Sequence, residues 1–392
     1  MIVLRPRPRH RVEFKFMSLQ RRHLCAAAAL GLVGCASGPR SSPTVLMAPP
    51  AQLWTGESAA LAQRVHARIL IDERGTLIEL LPAHQPLTLQ PYPATDPPLR
   101  DARGRILPLW GVSNPDDQGA VAVLTPAAGE RRHAIHLLHP ERPARLLLEG
   151  DGEALWDHPV SNMALSADGR YLAMVRQPDP KVRFRPLSVG VLTVLDLHAQ
   201  PSGPAVPVTL PPDCVGLQWA MGQRPAWLRG SPCLLYSVMR QVEPGTERRA
   251  ETEIRMVDLS TGVDQFLTSG HSPVASNDAR SILLTRGDAF GLFQVRIPAR
   301  PGQLLSGQPI PERPIPRRHG LGLPVALIDS RYLIYTGVPH PDAPAGFTTS
   351  NSPLVGPKPM QALKVLDLRT GEVLTLLEGI DPRRRITAAW KP

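Results

Sequence analysis

Aromatic residues, cysteine and long apolar runs are all scarce in this chain of 392 residues. Phe, Trp and Tyr together make up 5% of it, so aliphatic side chains must fill the core. The most apolar run, 24–33, is too short for the roughly 20 residues that a membrane-spanning helix needs. The sequence also lacks a Gly-x-Ser-x-Gly nucleophile turn, a phosphate-binding loop and a zinc-protease helix. These absences exclude several common enzyme classes.

Proline is the abundant residue, with 45 positions. Because proline interrupts helix interiors, an all-helical fold is excluded. Hydrophobic residues make up 42% of the chain, which is enough to build a core and argues against global disorder.

The formal net charge of +10 comes largely from the first 34 residues. That segment holds seven Lys or Arg residues against one acid, Glu13, so the remainder has 37 basic and 33 acidic residues. A body charged that mildly gives no argument for nucleic-acid binding.

The start of the chain has the order of an export signal. Arg21 and Arg22 precede the apolar run 24–33, which leads into Leu32-Val33-Gly34-Cys35. This motif resembles the bacterial lipobox, which implies that Cys35 is lipidated and becomes the mature N-terminus. The alternatives are a signal peptide cut elsewhere and a buried alanine-rich helix. The long basic stretch before Met17 suggests that translation begins at Met17.

The lipobox resemblance also implies a location. Ala36 follows the cysteine where an aspartate would favour inner-membrane retention, so we expect anchoring on the periplasmic side of the outer membrane. We expect three parts: a signal peptide at 1–34, the lipidated cysteine with a flexible tether at 35–60, and a folded body at 61–392. The tether follows from a segment rich in proline and serine.

Two cysteines remain in the body, Cys214 and Cys233. An oxidising compartment would permit a disulfide between them, and two buried free thiols are the other interpretation. We expect no metal site there, because no second cysteine pair or histidine pair accompanies them.

A repeat organises the body. The segment 162–175 contains a short apolar strand, a turn around Asp168-Gly169, and a second apolar strand. The pattern returns at 273–284 and 324–335, and more weakly near residues 115 and 222. Equivalent turns are 51 to 56 residues apart. A third strand follows each hairpin, as at 192–197, 254–259 and 363–368, and a fourth strand comes next.

Four antiparallel strands recurring at this period predict an all-β fold, a six-bladed β-propeller of four-stranded blades. The C-terminal segment 385–390 resembles a first strand alone, and the body begins with later strands. We therefore expect N- and C-terminal strands to share one blade and close the ring. A β-sandwich with accidental similarity is the alternative.

The phrases at 166–173 and 194–197 resemble the WD40-like repeats of TolB-type propellers. By periodicity the resemblance covers about residues 107–390. The resemblance implies a propeller located in the periplasm. It does not imply that this chain binds the partner of TolB.

Two polar patterns have the residue types of a metal or catalytic site. His133, His136 and His139 lie on a predicted strand, where this spacing alternates faces and does not converge on one metal ion. Asp168, Asp278 and Asp329 lie in the repeated turns, where aspartate commonly caps its own backbone.

Long connections between second and third strands give the candidate binding surface, because they would crowd one end of the propeller. We call this end the loop face. Its candidate residues are basic or aromatic: Arg176, Lys181, Arg183, Phe184, Arg185, Arg240, Arg248, Arg249 and Phe347. Tolerated surface insertions are the alternative interpretation.

These observations predict a lipid-anchored periplasmic propeller that binds a protein or an acidic envelope polymer, as a monomer without a cofactor. The contrasting hypothesis is a propeller enzyme, such as a hydrolase, lyase or quinone-dependent dehydrogenase, with its site in the central channel.

Overall fold

The computed structural model describes the strands and most of their turns. All described residues lie within the unit Ala48–Pro392. They are residues 57–73, 75–83, 89–127, 132–151, 163–176, 191–199, 206–207, 214–217, 224–241, 250–286, 289–296, 306–309, 321–337, 361–380 and 386–390.

The described chain opens with helix α1 (Glu57–Arg64), which begins inside the segment predicted as a tether. Its Leu61 and Ala62 are buried in an apolar cluster with residues of sheets I and VI. Sheet I follows, with the strands β1 (Ala67–Glu73), β2 (Thr76–Leu80) and β3 (Leu89–Pro91), and a short 3-10 helix at Pro93–Thr95 comes next.

Sheets II and III each have four strands in simple antiparallel order. The strands of sheet II are β4 (Gly111–Val112), β5 (Val121–Pro126), β6 (Arg132–His139) and β7 (Arg142–Asp151). Those of sheet III are β8 (Met163–Leu165), β9 (Tyr171–Arg176), β10 (Val191–Asp196) and β11 (Val206–Pro207).

Sheet IV departs from this plan because it has five strands. They are β12 (Cys214–Leu217), β13 (Ala226–Trp227), β14 (Cys233–Gln241), β15 (Ala250–Asp258) and β16 (Val263–Ser269). Both β12 and β13 pair with β14, at its two ends. The first strand predicted from sequence is therefore divided into two.

Sheets V and VI return to four strands, and the chain then rejoins sheet I. Sheet V has β17 (His271–Ala275), β18 (Ser281–Arg286), β19 (Ala289–Arg296) and β20 (Ser306–Pro309). Sheet VI has β21 (Leu321–Ile328), β22 (Tyr332–Gly337), β23 (Gln361–Asp367) and β24 (Val373–Ile380), and β25 is Ile386–Trp390.

The strands are apolar on both faces because each sheet packs against a sheet on either side. On β9, Leu172 and Met174 join a cluster with sheet II, while Ala173 between them joins a cluster with sheet IV. This two-sided burial explains the unbroken apolar runs in the sequence.

Apolar clusters link the sheets in chain order. They join I to II, II to III, III to IV, IV to V, and V to VI. A further cluster joins VI back to I through Ile334, Val365 and Ile69. The protein is thus an all-β propeller of antiparallel sheets.

The predicted blade plan needs correction. Among the described residues, five blades follow the four-stranded plan, not six, and sheet IV with its five described strands departs from the repeat. The physical reason is the interrupted first strand of sheet IV, whose two parts pair with different halves of β14.

The two ends of the described chain meet in sheet I. Strand β25 pairs antiparallel with β1, with Trp390 opposite Ala67 and Ile386 opposite Ile71. The order β25-β1-β2-β3 gives this sheet its fourth strand, as the sequence predicted.

Candidate functional site

The repeated turn after the first strand of a blade is held by its own serine and aspartate. In sheet III, Ser166 Oγ donates to Asp168 Oδ1 at 2.5 Å, and the Arg170 amide donates to the same oxygen at 3.0 Å. In sheet V, Ser276 donates to Asp278, which also accepts from the Arg280 amide at 3.0 Å. These carboxylates are engaged in shaping the turn.

Two of these turns continue into an identical ion-pair arrangement. Arg170 lies over the ring of Tyr171 at 4.8 Å and pairs with Asp196 on the third strand at 3.0 Å. Arg331 lies over Tyr332 at 4.9 Å and pairs with Asp367 at 2.6 Å. Each pair fastens the first turn of a blade to the end of its third strand.

The same turns connect neighbouring sheets, and we call this end of the propeller the turn face. Asn114 of sheet II donates to the Leu165 carbonyl of sheet III at 2.7 Å. Asn277 of sheet V donates to Asp329 of sheet VI at 2.9 Å. Polar groups on the turn face therefore serve contacts between blades.

Sheet II contributes two neighbouring carboxylates to the turn face. Burial raises the pKa of Asp116, although its Oδ1 accepts from the Gln118 and Ala120 amides. Burial also raises the pKa of Asp117, against the attraction of Arg229, whose guanidinium lies 2.7 Å away. Arg229 comes from sheet IV, so this ion pair spans across sheet III.

First strands form the inner edge of the sheets. Ser276, just after β17, bridges in parallel to Leu327 of β21, and β21 in turn contacts β25. Arg224, just before β13, donates to the Ile386 carbonyl on β25 at 3.1 Å. Sheets I and IV are three sheets apart in the ring. The Arg224 hydrogen bond therefore joins two sheets that are not neighbours.

Sheet IV contains a buried polar network on the side that faces sheet III. The Tyr236 hydroxyl donates to Asp264 Oδ1 at 2.9 Å, and Arg255 Nε donates to Asp264 Oδ2 at 3.0 Å. Arg255 also contacts Glu253 at 3.3 Å. Burial and the adjacent Asp264 raise the pKa of Tyr236.

Sheet VI has a related pair of side chains without the acid. Tyr335 on β22 lies opposite Lys364 on β23, as Tyr236 on β14 lies opposite Arg255 on β15. The Tyr335 hydroxyl is buried and has no hydrogen-bond partner among the described residues. Burial lowers the pKa of Lys364, with Glu378 acting in the opposite direction.

A third cluster lies in sheet I. Arg68 Nε is 2.7 Å from Glu79 Oε1, and the Gln90 side chain donates to Glu79 Oε2 at 2.9 Å. The Tyr92 hydroxyl donates to the Gly119 carbonyl of sheet II. Burial raises the pKa of Tyr92 to about 12, so it stays a donor at ordinary pH.

Most of the predicted binding residues lie outside the described residues. Among them are Cys35, Lys181, Arg183, Phe184, Arg185, Arg248, Arg249 and Phe347. Two are placed by their backbone: Arg176 ends β9, and Arg240 lies next to the last residue of β14. Both positions adjoin the long connections, which lie outside the described residues, so the loop face stays a prediction.

Of the two interpretations of the body cysteines, the structure shows Cys233 as a buried free thiol. Strand register gives the reason. Cys214 pairs with Arg240 at one end of β14, while Cys233 begins that strand. Seven residues of extended strand span roughly 23 Å, far more than the separation of about 7 Å that a disulfide tolerates. Burial raises the pKa of the Cys233 thiol.

The three histidines of β6 have different neighbours. The rings of His133 and Trp110 are in edge contact, with centroids 4.9 Å apart. Nδ1 of His139 accepts from the Glu141 amide at 3.1 Å. Burial lowers the pKa of His136.

The polar groups inside the blades, including Tyr335, Lys364 and the Arg255 network, were missed by the sequence reasoning. The available signal was a charged side chain inside an apolar strand, as in Leu363-Lys364-Val365. Such a charge is rarely buried without a partner or a purpose.

Comparison with solved structures finds other propellers. TolB from Acinetobacter baumannii matches with 12% identity and a TM-score of 0.47, over 82% of this chain and 66% of that chain. An oligogalacturonate lyase in complex with manganese matches with 15% identity and a TM-score of 0.41, over 71% of each chain. The periplasmic gluconolactonase of Pseudomonas aeruginosa matches with 15% identity and a TM-score of 0.38, over 83% of this chain and 99% of that one.

The neighbours thus include a TolB-type propeller as well as propeller enzymes. No protein-family model matches the chain, and no curated protein matches its sequence. No helix among the described residues is long and apolar enough to cross a membrane.

Proposed function

We propose that this chain is a lipid-anchored periplasmic β-propeller that acts as a non-catalytic binding or scaffold protein of the cell envelope. Cys35 would carry the lipid on the periplasmic side of the outer membrane, and the monomeric propeller would present its loop face to an acidic protein or polymer.

The observation that carries this proposal is the structural engagement of the turn face. Asp168 and Asp278 accept hydrogen bonds within their own turns, and Asp196 and Asp367 pair with arginines of the same blades. Side chains engaged in this way shape the turns and join strands within a blade. Partner recognition is then assigned to the opposite end, where the long connections begin.

Charge complementarity supports an acidic partner. Seven of the nine candidate residues on the loop face are Arg or Lys, and the other two are Phe. Arginine offers planar, paired donors that suit carboxylate and phosphate groups, and arginine and aromatic residues dominate binding hot spots.

The test is capture of envelope components by the full-length lipidated protein. Reversing Arg183, Arg185, Arg248 and Arg249 to Glu is expected to abolish capture of the partner while thermal stability stays unchanged. Cys35→Ser is expected to leave partner capture intact but to release the protein from the membrane fraction, with loss of labelled palmitate.

Arg280→Glu is the matched control, because Arg280 is exposed on the turn face. In its blade, Gln294 occupies the third-strand position where sheets III and VI have an aspartate. Arg170 is unsuitable, since it pairs with Asp196. Equal loss of capture from the control and the loop-face variant would refute the loop face as the binding surface. Palmitate labelling of Cys35→Ser at the wild-type level would refute lipidation at that residue.

A further inference from the structure

Sheets IV and VI place the same kind of side-chain pair at equivalent positions. Tyr236 is opposite Arg255 in sheet IV, and Tyr335 is opposite Lys364 in sheet VI. Tyr236 is the fourth residue of β14, which begins at Cys233. Tyr335 is the fourth residue of β22, which begins at Tyr332. In both blades the tyrosine packs with residues of the preceding sheet.

Sheet IV completes its pair with an acid. Asp264 of β16 accepts from both Tyr236 and Arg255, so the hydroxyl and the cation share one carboxylate. Asp264 is opposite Val257, two residues beyond Arg255.

Sheet VI has valine where sheet IV has this acid. Val373 is opposite Leu366, two residues beyond Lys364, and is therefore the equivalent of Asp264. Val373 packs against the same cluster as Tyr335. The cross-strand pair is retained, and the carboxylate that would satisfy it is replaced by an apolar side chain.

The consequence is a donor pair without an acceptor. Tyr335 is 0% exposed, and its hydroxyl has no partner among the described residues. A buried hydroxyl left unsatisfied costs about 1–3 kcal/mol. Lys364 is 6% exposed and forms no ion pair with a described residue. Among the described residues, Glu378, an exposed residue of β24, is the charged group that attracts the Lys364 ammonium. Burial nevertheless lowers the pKa of Lys364.

We propose that Tyr335 and Lys364 form a carboxylate-binding site between sheets V and VI, in which a ligand carboxylate takes the part that Asp264 plays in sheet IV. The carboxylate accepts one hydrogen bond from the tyrosine hydroxyl and one from the lysine ammonium.

Acetate is the probe, because it is the simplest ligand with this group. Thermal unfolding of the full chain is followed while sodium acetate replaces sodium chloride at constant ionic strength. A ligand that binds only the folded protein raises Tm in a saturable way. We expect such a rise for the wild type, about tenfold weaker apparent affinity for Tyr335→Phe, and no specific rise for Lys364→Met.

Two variants test the comparison between the blades. Val373→Asp supplies the acid internally, so its Tm is expected to lose its response to acetate. Tyr236→Phe disturbs the satisfied network of sheet IV, so its Tm is expected to fall while the response to acetate is kept. A second readout is NMR of lysine labelled at the ε-carbon, in which acetate raises the pKa of Lys364 in the wild type and does so only at about tenfold higher acetate concentration in Tyr335→Phe.

The proposal is overturned if acetate and chloride affect the wild type equally in both measurements. It is also overturned if Tyr335→Phe and Lys364→Met respond as the wild type does. None of these variants alters the loop-face residues, so failure here is distinguishable from failure of the proposed binding function.

Discussion

At the scale of single residues, the turn of sheet III depends on a glycine in contact with a fixed carboxylate. Gly169 has a φ of +69°, and a Cβ placed on it would lie 2.5 Å from Asp116 Oδ2 of the neighbouring sheet. Asp116 cannot swing aside freely, because its other oxygen accepts two backbone amides at 2.9 and 2.7 Å. Gly169 thus answers two requirements, a left-handed backbone and a close approach between blades.

Gly169→Ala is therefore expected to destabilise the protein more than the left-handed backbone alone explains. Gly230→Ala is the matched control, since Gly230 has a φ of +71° and open space around it. The control should cost about 1 kcal/mol, and Gly169→Ala about 1–3 kcal/mol more. Urea denaturation of both variants makes the comparison. Equal losses of unfolding free energy in the two variants would show that Asp116 moves away from the added methyl group without an energetic cost.

The sequence could predict the turn but not this contact. Asp168-Gly169 indicates a tight hairpin from local backbone chemistry alone. The approach of Asp116 depends on packing between two blades that are separated by about 50 residues of chain, and local patterns carry no such information. For the same local reason, the interpretation of Asp168 and Asp278 as caps of their own turns is confirmed, whereas Asp329 accepts from Asn277 of the neighbouring sheet.

At the scale of the element, sheets III and VI each join their first hairpin to their third strand through a long-range ion pair. Asp367 is 1% exposed at the end of β23, and it accepts from Arg331 and from the Arg369 amide. Burial alone would raise the pKa of Asp367, but these hydrogen bonds outweigh it and hold the pKa below the ordinary value of 3.8. The pair therefore stabilises the fold above that value.

Arg331→Met should cost about 1–3 kcal/mol near neutral pH, because it leaves a buried carboxylate without its cation. A carboxyl whose pKa is lowered in the folded state contributes its stability above the unfolded value, and that contribution is lost as the pH falls through the folded value. The difference between variant and wild type should thus shrink below about pH 4. Denaturant unfolding from pH 7 to pH 2 measures it.

Arg280→Met is the control in sheet V, where the position of Asp367 is taken by Gln294 opposite Ser281. It should change the free energy of unfolding by less than about 0.5 kcal/mol at every pH. A difference for Arg331→Met that stayed constant down to pH 2 would mean that Asp367 does not contribute through its charge.

At the scale of the whole molecule, the sequence predicted closure of the sheets but not the blade plan of sheet IV. Period and turn chemistry are local signals, and they located the hairpins of sheets III, V and VI. The orphan segment 385–390 could be assigned to the first blade because a lone first strand needs a partner. The division of the first strand of sheet IV into β12 and β13 could not be predicted, since both halves depend on which end of β14 they meet.

The polar sites inside the blades were equally hidden from sequence. Tyr335 and Lys364 are separated by a long connection, and only the register of β22 and β23 brings them opposite each other. The contrast with sheet IV becomes visible once Asp264 and Val373 can be aligned by their strand partners.

The last prediction concerns closure of the propeller by β25. This strand pairs with β1 over five residues, buries Thr387 and Ala388, and accepts the Arg224 hydrogen bond from the opposite side of the channel. A chain ending at residue 385 should therefore lose stability throughout the body, with Tm lower by at least about 5 °C if the loss is about 3 kcal/mol. Calorimetry should still show one transition, because the clusters between sheets couple the blades.

A chain ending at residue 390 keeps β25 and should melt like the full chain. Two results would contradict this prediction: equal Tm values for both truncated chains, or hydrogen exchange that rises in sheet I alone. Either would mean that β25 does not stabilise the propeller as a whole.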